Sequence, residues 1–156
     1  MKYRILTNEE LAPLAEDFKH FLIVNGVHTE EWIRINSNEP QKAKDLVEIF
    51  SDTVLQKVYE KITHLEFRSP DSCIVFHFLP EKVALISIQK KGNSEANFST
   101  VESIHLALTE QTKTLQFFQS EKKYSATREQ EIHRMLEEGC FISSADFWQS
   151  LYEVVN

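Results

Sequence analysis

Glycine is scarce in this sequence. The 156 residues contain three, Gly26, Gly92 and Gly139, each isolated, so the repeated-glycine loops that cradle nucleotide phosphates are absent. Cysteine is scarcer still. Cys73 and Cys140 make neither a disulfide framework nor a CxxC pair, and two reduced thiols fit a cytosolic setting. No apolar run approaches the roughly 18 residues of a membrane span, and no signal-like segment opens the chain. The expected location is therefore the cytoplasm, with no membrane partner. Positive charge is in deficit: 17 Lys and Arg against 24 Asp and Glu give a net charge of −7. Such a surface repels nucleic-acid backbone unless bases cluster. Here they are interleaved with acids, so nucleic acid is not expected as a partner. No HxH or HExxH spacing marks a metal site.

What is present is an ordinary globular composition, 42% hydrophobic and 26% charged, at a length that suits one domain, residues 1–156. Thr7-Asn8-Glu9-Glu10 is a capping box, followed by Leu11, Leu14, Phe18, Phe21 and Leu22 at helical spacing. Pro13 falls early enough to be tolerated, and Asn25-Gly26 ends the helix. Thr29-Glu30-Glu31 opens a second helix. Pro40 opens a long third one, with an apolar stripe from Ala43 to Ile62 and a candidate bend at Ser51-Asp52.

Beyond Ile62 the period changes from helical to alternating. Strands are expected at about 63–68, 73–79 and 83–89, separated by turn chemistry at Ser69-Pro70-Asp71-Ser72 and Pro80-Glu81-Lys82. Residues 100–109 fit strand or helix, with helix preferred. A fourth strand is read at 114–120. Ser125 is placed as the cap of a helix carrying Ile132, Met135 and Leu136, stopped by Gly139. Ser143 with Asp146 is placed at the start of a terminal helix. Strands clustered in sequence, rather than alternating with helices, define an α+β fold: N-terminal helices, then a mostly antiparallel four-stranded sheet covered by helices.

The short motifs Met1-Lys2-Tyr3, Leu6-Thr7, Phe50-Ser51-Asp52, Leu65-Glu66, Lys122-Lys123-Tyr124-Ser125 and Glu138-Gly139 together resemble a family of small acidic proteins of Bacteroidetes-type bacteria, a domain of unknown function. The resemblance spans nearly the whole chain. It implies a bacterial cytosolic setting and supports the strand at 114–120. It carries no catalytic residues.

A four-residue turn at 69–72 sets a register in which Arg68 faces Cys73, Phe67 faces Ile74, Leu65 faces Phe76 and His64 faces His77. One face then carries Leu65, Phe67, Ile74, Phe76 and Phe78, read as core. The other carries His64, Glu66, Arg68, Cys73 and His77, read as the polar, solvent side. Opposed side chains lie about 5 Å apart at Cβ, so His64, His77 and Glu66 form a candidate three-ligand set for a divalent metal. The competing reading is an ordinary polar sheet face. Cys73 beside Arg68 is either a stabilised thiolate or a small core filler. Pro70-Asp71 with Gln89-Lys90-Lys91 imitates a metal-dependent nuclease pattern without its clustered acids.

Lys122, Lys123, Tyr124 and Arg128 form the one local basic patch, a candidate anion site at a helix start, against a reading as solvated junction. Phe147, Trp148 and Tyr152 are candidate interface residues, against a reading as closure of the core. Two functional classes follow. The first is a non-enzymatic interaction or regulatory module with a protein partner or a second copy, requiring no cofactor. The second is a small metal-binding protein or hydrolase-like enzyme using His64, Glu66 and His77.

Overall fold

Thr7 starts the first helix with both halves of the capping box. Its hydroxyl accepts from the Glu10 N–H at 3.2 Å, and Glu10 Oε1 accepts from the Thr7 N–H at 2.9 Å. The computed structural model describes residues 1–156. Helix α1 (Asn8–Leu11) passes through a 3₁₀ turn at Ala12–Leu14, which absorbs Pro13, into α2 (Ala15–Val24). Gly26, at φ +78°, ends α2: its N–H bonds the Ile23 carbonyl, and the Val27 N–H bonds that of Leu22. This is the paired closure that a left-handed residue permits. Helices α3 (Thr29–Asn38) and α4 (Pro40–Lys61) follow.

α4 runs unbroken through Ser51-Asp52, where the sequence suggested a bend. Those two side chains satisfy the N-terminal backbone instead. Asp52 accepts from the N–H of Lys2 and of Tyr3 at 2.6 and 2.8 Å, and Ser51 Oγ accepts from the N–H of Leu6 at 3.0 Å. Polar residues that locally disfavour helix are thus retained where they pair with otherwise orphaned amides.

Contacts divide the chain within α4 into two compact units, Met1–Val58 and Tyr59–Asn156. In the first, Leu22, Val27, Ile35 and Ala43 are buried together against Phe18, Phe21, Trp32 and Leu46. Phe18 meets Trp32 edge-on, with centroids 5.1 Å apart, the arrangement favoured by aromatic quadrupoles.

The second unit holds the antiparallel sheet: β1 (His64–Arg68), β2 (Ser72–Phe78), β3 (Lys82–Lys90), β4 (Leu115–Lys123) and β5 (Phe141–Ile142), in spatial order β4-β3-β2-β1-β5. The β1–β2 register is the one the turn dictates, from Arg68↔Cys73 to His64↔His77. The sheet has five strands rather than four. β5 is only two residues long and pairs with Leu65 and Glu66, too short to leave an alternating pattern. β4 runs to Lys123 along the whole of β3, three residues past the expected end.

Residues 101–110 are helical (α5, Val101–Glu110), capped by Thr100. α6 (Arg128–Glu137) is capped by Thr127, not by Ser125, whose N–H and hydroxyl both bond Glu131. α7 (Ala145–Val155) is capped by Ser144, one residue beyond Ser143.

The face assignment needs correction. The side carrying His64, Glu66 and Cys73, expected in solvent, is the buried one. Cys73, Val75, Ile86 and Ile88 are fully buried with Phe98 and Leu115 beneath Ile104 and Ala107 of α5 and Leu151 of α7. His64 and Glu66 are 4% and 6% exposed. The phenylalanine side, expected to be core, is closed only in part. Leu65, Phe78 and Val83 are buried, but Ile74, Phe76 and Leu85 are half-buried and Phe67 is 39% exposed. Alternation determines which residues share a face; it does not determine which face receives the broader helical cover.

Candidate functional site

Register brings His64 and His77 together as the sequence implied, but as a stack. Their rings lie 4.3 Å apart at 15° to one another, and Trp148 of α7 packs against both. Ring-nitrogen lone pairs lie in the ring plane, so those of near-parallel rings run side by side rather than toward a shared ion. His64 Nδ1 shares a hydrogen bond of 2.8 Å with Thr63 Oγ1. Glu66 accepts from Arg68 Nε at 2.7 Å, and the Arg68 guanidinium lies over the Phe141 ring, 4.7 Å from its centroid. The structure contains no group of three or more His, Cys, Asp or Glu disposed to hold a metal.

The electrostatics follow from burial. Loss of solvent, and secondarily the neighbouring His77, push His64 down to about 4. Burial, then Arg128, also lowers His77. Both rings are therefore neutral near pH 7 and behave as flat packing elements. Burial, then the Glu66 charge, lifts the Cys73 thiol to about 12 despite Arg68. Of its two readings, core filler is the one this environment suits. Asp71 sits in the β1–β2 turn, 3.5 Å from Lys90 in an ion pair.

The basic patch is split by its own hydrogen bonds. Arg128 donates to the carbonyls of Tyr59 and Ile62, which lie at and just past the end of α4, and to that of Phe78. Tyr124 points its hydroxyl at the Leu79 and Lys82 carbonyls, at 2.6 and 2.9 Å. Both are consumed in tying the turn after β2 to the start of α6. Lys122 and Lys123 lie on β4 and remain exposed. At the C-terminus, Phe147 and Trp148 are half-buried against the sheet core, whereas Tyr152 is 45% exposed.

The feature that the sequence did not reveal is a groove on the phenylalanine face. Its volume is about 310 Å³. Phe67, Ile74, Phe76 and Leu85 make its open floor, and Met135 of α6 lies on its wall. Gly139, at φ +105°, terminates α6 and carries the chain past the groove, with the Cys140 N–H bonded to the Met135 carbonyl. Charge at the rim is unevenly neutralised. Arg134 bonds both Glu131, at 2.6 Å, and Glu138, at 3.0 Å. The Ser125 hydroxyl, and then this guanidinium, hold Glu131 down at about 2. Lys122, which shares the Val83 side of the sheet by register, has no carboxylate partner. A signal was available: α6 offers only Ile132, Met135 and Leu136, too narrow a stripe to cover so wide a face.

The fold and these environments define a small α+β protein with an open apolar groove and no converged metal-ligating group. The chain belongs to the family described as "Family of unknown function (DUF6495)", whose model matches residues 1–156. No curated protein and no solved structure matches it.

Proposed function

We propose that this protein is a non-catalytic interaction module whose working surface is the groove on the phenylalanine face. Its occupant is an extended peptide segment of a partner protein, with two or three apolar side chains followed by an acidic residue. The observation that carries this reading is the half-exposed floor of Phe67, Ile74, Phe76 and Leu85, left open while the opposite face is sealed. Small-molecule sites usually enclose most of their ligand. A floor exposed along its length suits side chains that arrive on another backbone. The acidic residue follows from Lys122 and Lys123, two lining cations that no carboxylate pairs, beside an Arg134 already bound by two.

The setting proposed is the bacterial cytoplasm. It rests on the family resemblance and on two unpaired thiols; no helix is long and apolar enough to cross a membrane. The test is selection of a displayed random-peptide library on the full chain. Enriched peptides are expected to share apolar anchors with an Asp or Glu, and to weaken at least about ten-fold on Phe67→Lys or Lys122→Glu, the scale of a lost anchor. Enriched peptides that lack acids and ignore both substitutions would refute the assignment.

A further inference from the structure

The two edges of the sheet differ. On one side β5 is two residues long, and brevity is one way a protein blunts a sheet edge. On the other side β4 is nine residues long and outermost in the strand order. Its pairing with β3 steps one for one from Leu115 to Lys123, with no bulge, and it contains no proline. Charge falls only in its last three residues, Glu121, Lys122 and Lys123. Residues 118–123 are exposed, Phe118 by 50%. The parity of the ladder fixes which backbone groups face outward. The Lys91 N–H bonds the Thr114 carbonyl at 2.8 Å, so that pair and every second pair along the ladder are the hydrogen-bonded ones. Gln116, Phe118, Ser120 and Lys122 therefore turn their N–H and C=O groups to β3. Phe117, Gln119, Glu121 and Lys123 turn theirs to the open edge, where no other backbone group meets them. The Leu115 N–H, of the same outward parity, closes onto the Thr112 carbonyl. A row of unpaired donors and acceptors of this length is a template for another strand.

We infer that this edge is a self-association surface, on which β4 of a second copy pairs antiparallel about a two-fold axis through Gln119 and joins two five-stranded sheets into one. The occupant follows from the strand's complementarity to itself. With Gln119 opposite its own counterpart, Phe117 meets Glu121 and Leu115 meets Lys123, so outward groups meet outward groups along the whole strand. Like charges directly opposite are destabilising, and this alignment has none. The charged end of each strand lies against Leu115, Gln116 and Phe117 of the other. A two-residue slip one way sets Lys123 against Lys113, and the other way leaves Leu115 and Gln116 beyond the end of the facing strand. On the open face of the sheet, Phe118 comes opposite Ser120 and diagonal to Phe118 of the second copy, a separation that aromatic side chains span. Two exposed rings then cover one another across the axis. The Gln119 side-chain amide exchanges bonds with that of Asn156 at 3.3 and 3.4 Å, which leaves its backbone free. The surface is separate from the floor of the groove, whose Phe67, Ile74, Phe76 and Leu85 belong to β1, β2 and β3.

The test compares the intact chain with two variants, Gln119→Lys and Gln119→Glu, by sedimentation and by amide hydrogen exchange. Gln119 is exposed, so neither substitution disturbs the core. Wild type is expected to pass from monomer to dimer between micromolar and millimolar concentration. Over that range exchange at the Phe117, Gln119 and Glu121 amides should slow, while the Phe118 and Ser120 amides, bonded to β3, stay protected throughout. Each variant alone sets like charges opposite one another at the axis and should dimerise at least about ten-fold more weakly. An equimolar mixture of the two variants should regain association, since opposite charges then face each other there. A wild type that stays monomeric at millimolar concentration would overturn the self-association. Slowed exchange at Phe117, Gln119 and Glu121 that only an added library-selected peptide produces would overturn it too, and give the edge to a foreign strand. Variants that dimerise like wild type, or a mixture no tighter than its parts, would overturn the axis through Gln119.

Discussion

Val75 and Ile74 are neighbours in one strand, yet they belong to different environments. Val75 points into a core sealed by α5 and α7, and Ile74 into a groove that α6 only partly roofs. The contrast runs against the lettering of the two faces. The face written with histidine, glutamate and cysteine is dry; the face written with phenylalanine is open. The cover decides the outcome. α7 presents Phe147, Trp148 and Leu151 and α5 presents Ile104, Ala107 and Leu108 to one side, whereas α6 brings a narrow stripe to the other. Polar side chains are then tolerated in the sealed face because they pair or lose their charge: Glu66 with Arg68, His64 and His77 as neutral stacked rings.

The largest expected effect separates the faces outright. Val75→Asp places an unpaired carboxylate in the sealed core and should cost more than about 4 kcal/mol, enough to unfold the sheet unit. Phe67→Asp, on the open face, should cost about 1 kcal/mol or less. Urea denaturation of the two variants checks the difference. Similar losses would erase the distinction between the faces.

Acid should act next, and through the sealed face first. A histidine whose folded-state value is depressed contributes no penalty above its ordinary value near 6.5. As pH falls below that, the unfolded chain takes up a proton that the folded chain refuses, and stability declines until the folded group titrates near 4. The loss for His64 amounts to about 3 kcal/mol across that window, with His77 acting in the same direction. Glu131 behaves oppositely in kind: its depressed carboxylate contributes stability present above its ordinary value of 4.5 and lost as pH falls toward about 2. Urea midpoints at pH 7, 5 and 4 should therefore drop in wild type and drop less in His64→Phe, which keeps a flat ring without the charge. An unchanged slope in His64→Phe would remove the buried ring from the explanation.

Thiol chemistry gives a smaller but clean contrast. Cys73 is fully buried with its thiol lifted to about 12, while Cys140 is half-buried beside the groove, its thiol raised by burial and by Glu138. A disulfide reagent at pH 8 should modify Cys140 in the native protein and Cys73 at least about a hundred-fold more slowly, since thiolate fraction and access both fall. Comparable rates would mean that the sealed face opens readily. Smallest of all, Phe67→Ser should shift the urea midpoint by less than about 1 kcal/mol equivalent and still weaken peptide binding.

Local chemistry made much of this fold legible. The Thr7–Glu10 box, the closures at Gly26 and Gly139, and the turn at Ser69–Ser72 each depend on residues within a few positions, and the turn alone sets the His64↔His77 register. What escaped is non-local. Two-residue β5 exists because the chain leaving Gly139 is brought alongside Leu65 and Glu66, and no pattern in Phe141-Ile142 announces that. Ser125 has the chemistry of a cap, but Glu131 bonds it first and leaves the cap to Thr127. Arg128 and Tyr124 have the chemistry of an anion site, but nearby carbonyls claim both. The identity of the sealed face depended on comparing three helices that lie apart in sequence.

The most direct test of the open-face account is a methyl NMR titration of the whole chain with a peptide from the displayed-library selection. Binding at the groove should move the methyls of Ile74, Leu85 and Met135 together and leave Val75, Ile86 and Ile88 in place. Shifts concentrated in Val75, Ile86 and Ile88, with Ile74 and Leu85 unmoved, would contradict it.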